Sequence, residues 1–134
     1  MYDKNNIFAK IARGEIPTTP IAENEYALSF NDINPVAETH VLVIPRGQYT
    51  NMIDFLCNAT PAEQAGFWDV FKRTAAAVGA DAGCNILANV GMGPMLYQSV
   101  PHFHMHLIAG KKIKDFVDTS DDSKCPCHST CTSK

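Results

Sequence analysis

The run His102-Phe103-His104-Met105-His106-Leu107 sets three imidazoles at every second position. Side chains of an extended strand alternate between its two faces, so the three histidines emerge on one side and Phe103, Met105 and Leu107 on the other. A helix cannot do this, because its successive side chains are about 100° apart and residues two apart do not share a face. Imidazoles grouped in this way suit two chemistries. They can converge on one metal ion, with His40 at the start of another apolar run and Asp32 as the acid placed near a site. Alternatively, one imidazole can attack phosphorus while a second gives a proton to the leaving group. That second chemistry needs donors for a phosphate, and Gln98, Ser99 and the backbone of Gly91-Met92-Gly93 can supply them. Spacing alone leaves the two readings open.

The surrounding chain indicates what must position these groups. Ile7, Phe8 and Ile11 recur at helical spacing between Asn5 and Arg13, with an asparagine cap before them and Gly14 after. Ile21 to Glu23 and Tyr26 to Phe30 read as strands joined by the turn Asn24-Glu25. His40-Val41-Leu42-Val43-Ile44, ended by Pro45, is the continuous apolar run of a strand buried on both faces, and belongs at the centre of a sheet. Thr60-Pro61-Ala62-Glu63 forms a capping box. The helix behind it presents Phe67, Val70, Phe71, Thr74, Ala75 and Val78 on one stripe and stops near Gly79. Cys84 to Val90 reads as a strand, Gly91 to Leu96 as a loop, and Val100 to Ala109 as the histidine strand. Short turns between strands imply antiparallel pairing. The expected fold is therefore α+β, with one antiparallel sheet of about five strands and two main helices packed on one face.

A length of 134 residues allows one domain, set here as residues 1–117, followed by a polar tail over 118–134. A formal net charge of -3 argues against a nucleic-acid partner, which calls for a basic excess. No stretch approaches the roughly 20 apolar residues of a membrane span, and Met1 to Asn6 lacks a signal-peptide pattern. A cytoplasmic protein is expected, with Cys57 and Cys84 reduced in apolar surroundings. In the tail, Cys125, Cys127, His128 and Cys131 offer enough ligands for zinc, but their spacing is poor for one tetrahedral ion. A redox-sensitive tail is the plainer reading.

Gln98-Ser99-Val100 followed by the histidine run resembles the signature of the histidine triad family, in its Hint branch. So do, in order, Ile7-Phe8-Ala9-Lys10-Ile11 with Gly14-Glu15-Ile16-Pro17, Phe30-Asn31-Asp32-Ile33, and Thr39-His40-Val41-Leu42-Val43-Ile44-Pro45. The resemblance covers about Asn5 to Gly110. It implies a homodimer that hydrolyses or transfers nucleotidyl groups from purine nucleoside phosphoramidates or related nucleotide conjugates, with neither metal nor cofactor. It also implies the roles of individual residues. His104 is then the nucleophile that forms a nucleotidyl-histidine intermediate, and His106 contacts the phosphate. His102 orients His104 through its carbonyl, and His40 completes the polar site. Asp32, assisted by Asn89, takes the ribose hydroxyls. Phe8, Ile11, Phe30, Ile33 and Leu42 form the slot for the base, and Gln98, Ser99 and the Val100 backbone hold the phosphate and leaving group.

Two departures from that pattern stand out. Leu96 and Tyr97 occupy positions where the branch commonly has two glycines, which puts the leaving group in question. Asn6 and Ala9 stand where many bacterial members have zinc-binding cysteines, so that structural zinc is not expected. Two other functions remain in competition with the leading one. One is a nucleotide-binding or scaffolding protein with incidental catalysis. The other is a metal-dependent hydrolase using His40, His102, His104 and His106.

Overall fold

A computed structural model describes residues 2–91 and 100–110. The first helix, α1 (Ile7–Ala12), begins where the Asn6 side chain accepts from the Ala9 N–H, satisfying a donor that helix geometry leaves over. Strands β1 (Ala22–Glu23) and β2 (Ala27–Asn31) follow, and then β3 (Thr39–Pro45). Two helices come next: α2 (Met52–Asn58), capped by Asn51, and α3 (Pro61–Ala77), whose capping box is made by Thr60 and Glu63. After α3 the chain reverses at Gly79, whose φ of 68° lies in the left-handed region glycine tolerates. Strands β4 (Asn85–Leu87) and β5 (Met105–Ala109) complete the sheet.

The five strands are ordered β1-β2-β3-β5-β4 and all neighbours are antiparallel. β3 is central, as its unbroken apolar run requires. Its alternate residues face two cores. Val41 and Val43 join Phe103, Met105 and Leu107 beneath Phe55 of α2 and Phe67, Val70 and Phe71 of α3. On the opposite face Leu42 and Ile44 join Leu28 and Phe30 beneath Phe8 and Ile11 of α1. Close approach of α3 to the sheet depends on Gly66, where an added Cβ would stand 2.5 Å from Cδ2 of Tyr26.

The fold is the α+β architecture expected, with particular corrections. The two helices sharing a face are α2 and α3; α2 is absent from the sequence reading, and α1 covers the other face. β4 is three residues long rather than Cys84 to Val90. β5 begins at Met105 rather than Val100, so His102 and His104 precede the ladder and only His106 lies within it. The reason is local. The Phe103 N–H donates to the Tyr49 carbonyl at 2.7 Å, outside any strand, and just before it the chain bends as the His102 N–H donates to the Val100 carbonyl at 2.8 Å. Cys57 and Cys84 are both free, but Cys57 is exposed, on the outer side of α2. Expectations for Met92 to Ser99 and for Lys111 onward, including the tail and its cysteines, lie outside the described residues. Among the described residues, no helix is long and apolar enough to cross a membrane.

Candidate functional site

The alternation of faces survives the shortening of β5. Phe103 stacks between Phe55 and Phe67, each 5.1 Å away by ring centroids, and this anchors its neighbours to the other side. There the His104 and His106 rings lie 5.1 Å apart, and the His40 ring is 5.1 Å from His106. All four histidines are buried. His40 is brought in by the pairing of β3 with β5, where Leu42 stands opposite His106.

Hydrogen bonds identify which nitrogen of each ring carries the proton. His102 Nε2 lies 2.9 Å from the Pro45 carbonyl, which can only accept, so the proton is on Nε2 and Nδ1 accepts from the Tyr2 hydroxyl. His104 Nδ1 donates to the His102 carbonyl at 2.7 Å, which leaves Nε2 with its lone pair. His40 Nδ1 accepts from the Val36 N–H at 3.2 Å, so its proton sits on Nε2, 2.9 Å from His106 Nδ1 and 3.3 Å from an Asp32 carboxylate oxygen. His106, accepting at Nδ1, carries its own proton on Nε2. One ring therefore presents a lone pair and its neighbour a donor.

Burial keeps these rings neutral. Desolvation holds His102 down at about 4 and His106 at about 3, and it lowers His104 and His40 as well, in His40 against the opposing pull of the Asp32 carboxylate. In the unfolded chain each histidine titrates near 6.5. As pH falls from 6.5 towards 4, the unfolded state takes up protons that the folded rings refuse, so stability must fall. For His102 and His106 the loss is about 1.4 kcal/mol per pH unit for each ring. Urea unfolding at pH 7.5 and pH 5.0 measures this; the midpoint is expected to be lower at pH 5.0, and an equal or higher one would contradict the assignment.

The structure also bears on the metal reading. Asp32, His40 and His106 each offer one ligand atom, all within 4.8 Å of one another, so distances alone admit an ion. The proton positions do not fit it. To ligate through Nε2, His40 would have to move its proton to Nδ1, where it would face the Val36 N–H donor. The donor set therefore fits a proton relay better than a metal.

The remaining expected residues are distributed as follows. Phe8, Ile11, Phe30 and Leu42 share one buried cluster with Val100 packed against it, and the Phe8 ring is 4.8 Å from His104. Ile33 stands apart from that cluster, 83% exposed on the turn after Asp32. The Asp32 N–H donates to the His40 carbonyl at 2.9 Å, which holds the carboxylate beside the histidines. Asn89 is half-buried beyond β4, while Gln98 and Ser99 lie outside the described residues. Tyr2, Val36 and Pro45 are the participants that the sequence reading omits. Two of them act through backbone atoms, which residue type does not advertise, and a lone tyrosine at position 2 carries no motif.

Comparison with known proteins gives the family. The family model for the HIT domain matches residues 13–113. An uncharacterized 13.2 kDa HIT-like protein of Azospirillum brasilense is 49% identical over 117 residues, covering 87% of this chain and 94% of that protein. Among solved structures, a HIT family hydrolase from Legionella pneumophila is 33% identical with a TM-score of 0.65, covering 84% of this chain and 98% of its own. A histidine triad nucleotide-binding protein from Candida albicans is 28% identical with a TM-score of 0.64, covering 96% of each chain. A family model that spans most of the residues, a relative near half identity and a matching fold lead to one conclusion: the chain belongs to the HIT domain family.

Proposed function

We propose that this protein cleaves purine nucleoside phosphoramidates or related nucleotide conjugates by way of a covalent nucleotidyl-His104 intermediate. The observation that carries the reading is the 2.7 Å bond from His104 Nδ1 to the His102 carbonyl. It leaves Nε2 as the nucleophile, in a ring whose lowered proton affinity keeps it neutral at pH 7. As Nε2 bonds to phosphorus, the ring gains positive charge, and the same carbonyl stabilises the Nδ1–H that bears part of it. The phosphorus–nitrogen bond to the leaving amine breaks, and the amine takes a proton from His106 Nε2–H or from Ser99. Water then attacks phosphorus and gives its proton back to the group that protonated the amine, the bond from phosphorus to His104 breaks with its electron pair returning to Nε2, and the nucleoside monophosphate is released.

Binding follows from the same face of the sheet. Asp32, with its side chain 19% exposed, can accept from both ribose hydroxyls. Phe8, Ile11, Phe30 and Leu42 form an apolar floor for the base, and the exposed Ile33 can close over it. The names of the Legionella and Candida proteins, a hydrolase and a nucleotide-binding protein, support this reading. It includes a cytoplasmic homodimer, for which the outer edge of β4, unpaired among the described residues, and the exposed Ile86 and Val90 offer a surface.

Intact mass spectrometry after mixing the full chain with a slowly turned-over adenosine phosphoramidate tests the mechanism. The expected result is an adduct of one nucleotidyl group on His104, formed equally well in the presence of a chelator. An adduct on another residue, no adduct together with no turnover, or turnover that the chelator abolishes would overturn it.

A further inference from the structure

The first ring of the triad is held from two sides. His102 is fully buried, with Nε2–H satisfied by the Pro45 carbonyl and Nδ1 by the Tyr2 hydroxyl. The Tyr2 ring meets His102 edge-on with centroids 5.8 Å apart, and Phe8 meets it from another side at 6.4 Å. The segment that carries Tyr2 is itself tied down. The Asn6 side chain donates to the Asp3 carbonyl and Arg13 donates to the Lys4 carbonyl. A hydroxyl from the N-terminal segment therefore reaches the residue whose carbonyl orients the attacking ring.

We infer that Tyr2 is a positioning residue for His104, acting through His102. The hydroxyl contacts no reacting atom. Its work is to satisfy a buried acceptor that nothing else described at Nδ1 serves, so that the His102 ring, and with it the His102 carbonyl, keeps one orientation. Without the hydroxyl, Nδ1 of a fully buried ring must find another partner, and the simplest way is for the ring to turn. Turning it breaks the bond to Pro45, so residue 102 loses both ties that anchor its side chain, and its carbonyl, which selects the His104 tautomer, is held less firmly. This inference rests on His104 being the nucleophile. It adds the N-terminal segment to the apparatus that aims it.

The test is Tyr2→Phe, which keeps the ring and its edge contact and removes only the oxygen. In the full chain, 15N spectra of the imidazoles distinguish a protonated ring nitrogen from one with a lone pair. Wild-type protein should show His104 protonated at Nδ1 alone and His102 at Nε2 alone. In the variant the His104 signals should move towards the average of both tautomers. With adenosine phosphoramidate as substrate, kcat should fall about fivefold to tenfold, the usual consequence of one lost buried hydrogen bond, while KM stays within twofold. A merely structural role would lower thermal stability and leave the His104 tautomer unchanged. Unchanged His104 signals, or shifted signals with unchanged kcat, would overturn the inference. Because the spectra are read on the free protein, they decide it even if the phosphoramidate proves not to be a substrate, an outcome that would strike only the proposed activity.

Discussion

His104→Ala is expected to cut turnover of an adenosine phosphoramidate by about four orders of magnitude or more while leaving AMP affinity within a few-fold, as removal of a covalent nucleophile typically does. The asymmetry is the informative part. On the proposed reading affinity resides in Asp32 and in the apolar floor of Phe8, Ile11, Phe30 and Leu42, which the substitution spares. The Phe8 ring meets the His104 ring, and it keeps its contact with Phe30 at 6.0 Å. Isothermal titration with AMP beside steady-state kinetics separates the two effects. Turnover within tenfold of wild type would show that phosphorus is attacked by another group, water activated by His40 or His106 being the obvious one. A parallel collapse of AMP binding would show that His104 holds the nucleotide rather than reacting with it.

Phe103→Ala is expected to destabilise the fold by about 3–5 kcal/mol, the usual range for emptying a buried aromatic position. Phe103 is 1% exposed, and its ring meets both Phe55 and Phe67, so the void would open where α2, α3 and the sheet converge. Against a typical total of 5–15 kcal/mol this is a large share. The position also lies between His102 and His104, so the same substitution loosens the anchor that keeps both imidazoles on the opposite face. Phe103→Leu, which keeps most of the volume, should cost much less and retain most of the activity. Urea unfolding of both variants measures the first effect. A loss below about 1 kcal/mol in the alanine variant would mean that the surrounding rings collapse into the space.

Much of this architecture was legible because it is written in local chemistry. The Asn6 cap, the Thr60-Glu63 capping box, the stop at Gly79 and the unbroken run His40 to Ile44 each act within a few residues of their effect. Helix α2 was not legible. It has seven residues and buries only Phe55, so no repeating stripe marks it; the one available signal was Asn51 followed three residues later by Asp54, whose N–H the Asn51 side chain receives. The length of β5 is not legible because apolar-polar alternation persists through His102, Phe103 and His104 while the Phe103 N–H pairs with the Tyr49 carbonyl of a loop instead of a strand. Alternation reports on faces and not on who pairs with whom. The family resemblance brought His102, His104, His106, His40 and Asp32 into one site, and the structure does place them together. What residue types could not convey is the proton on each ring. That depends on backbone groups that residue type does not reveal, the carbonyl of Pro45 far along the chain from His102 and the N–H of Val36 four residues before His40.

The pairing of β3 with β5 sets Leu42 against His106 and Val43 against Met105. A slip of one residue would turn every side chain of β5 to the opposite face, sending the imidazole of His106 into the core beneath α2 and α3 and Met105 towards His40 and Asp32. Such a misaligned sheet could keep much of its secondary structure and stay compact, so circular dichroism or light scattering would pass it as native. Turnover would not. In refolding or expression trials of this protein, specific activity per mole is therefore the most discriminating gauge of whether the strands have met in the right alignment.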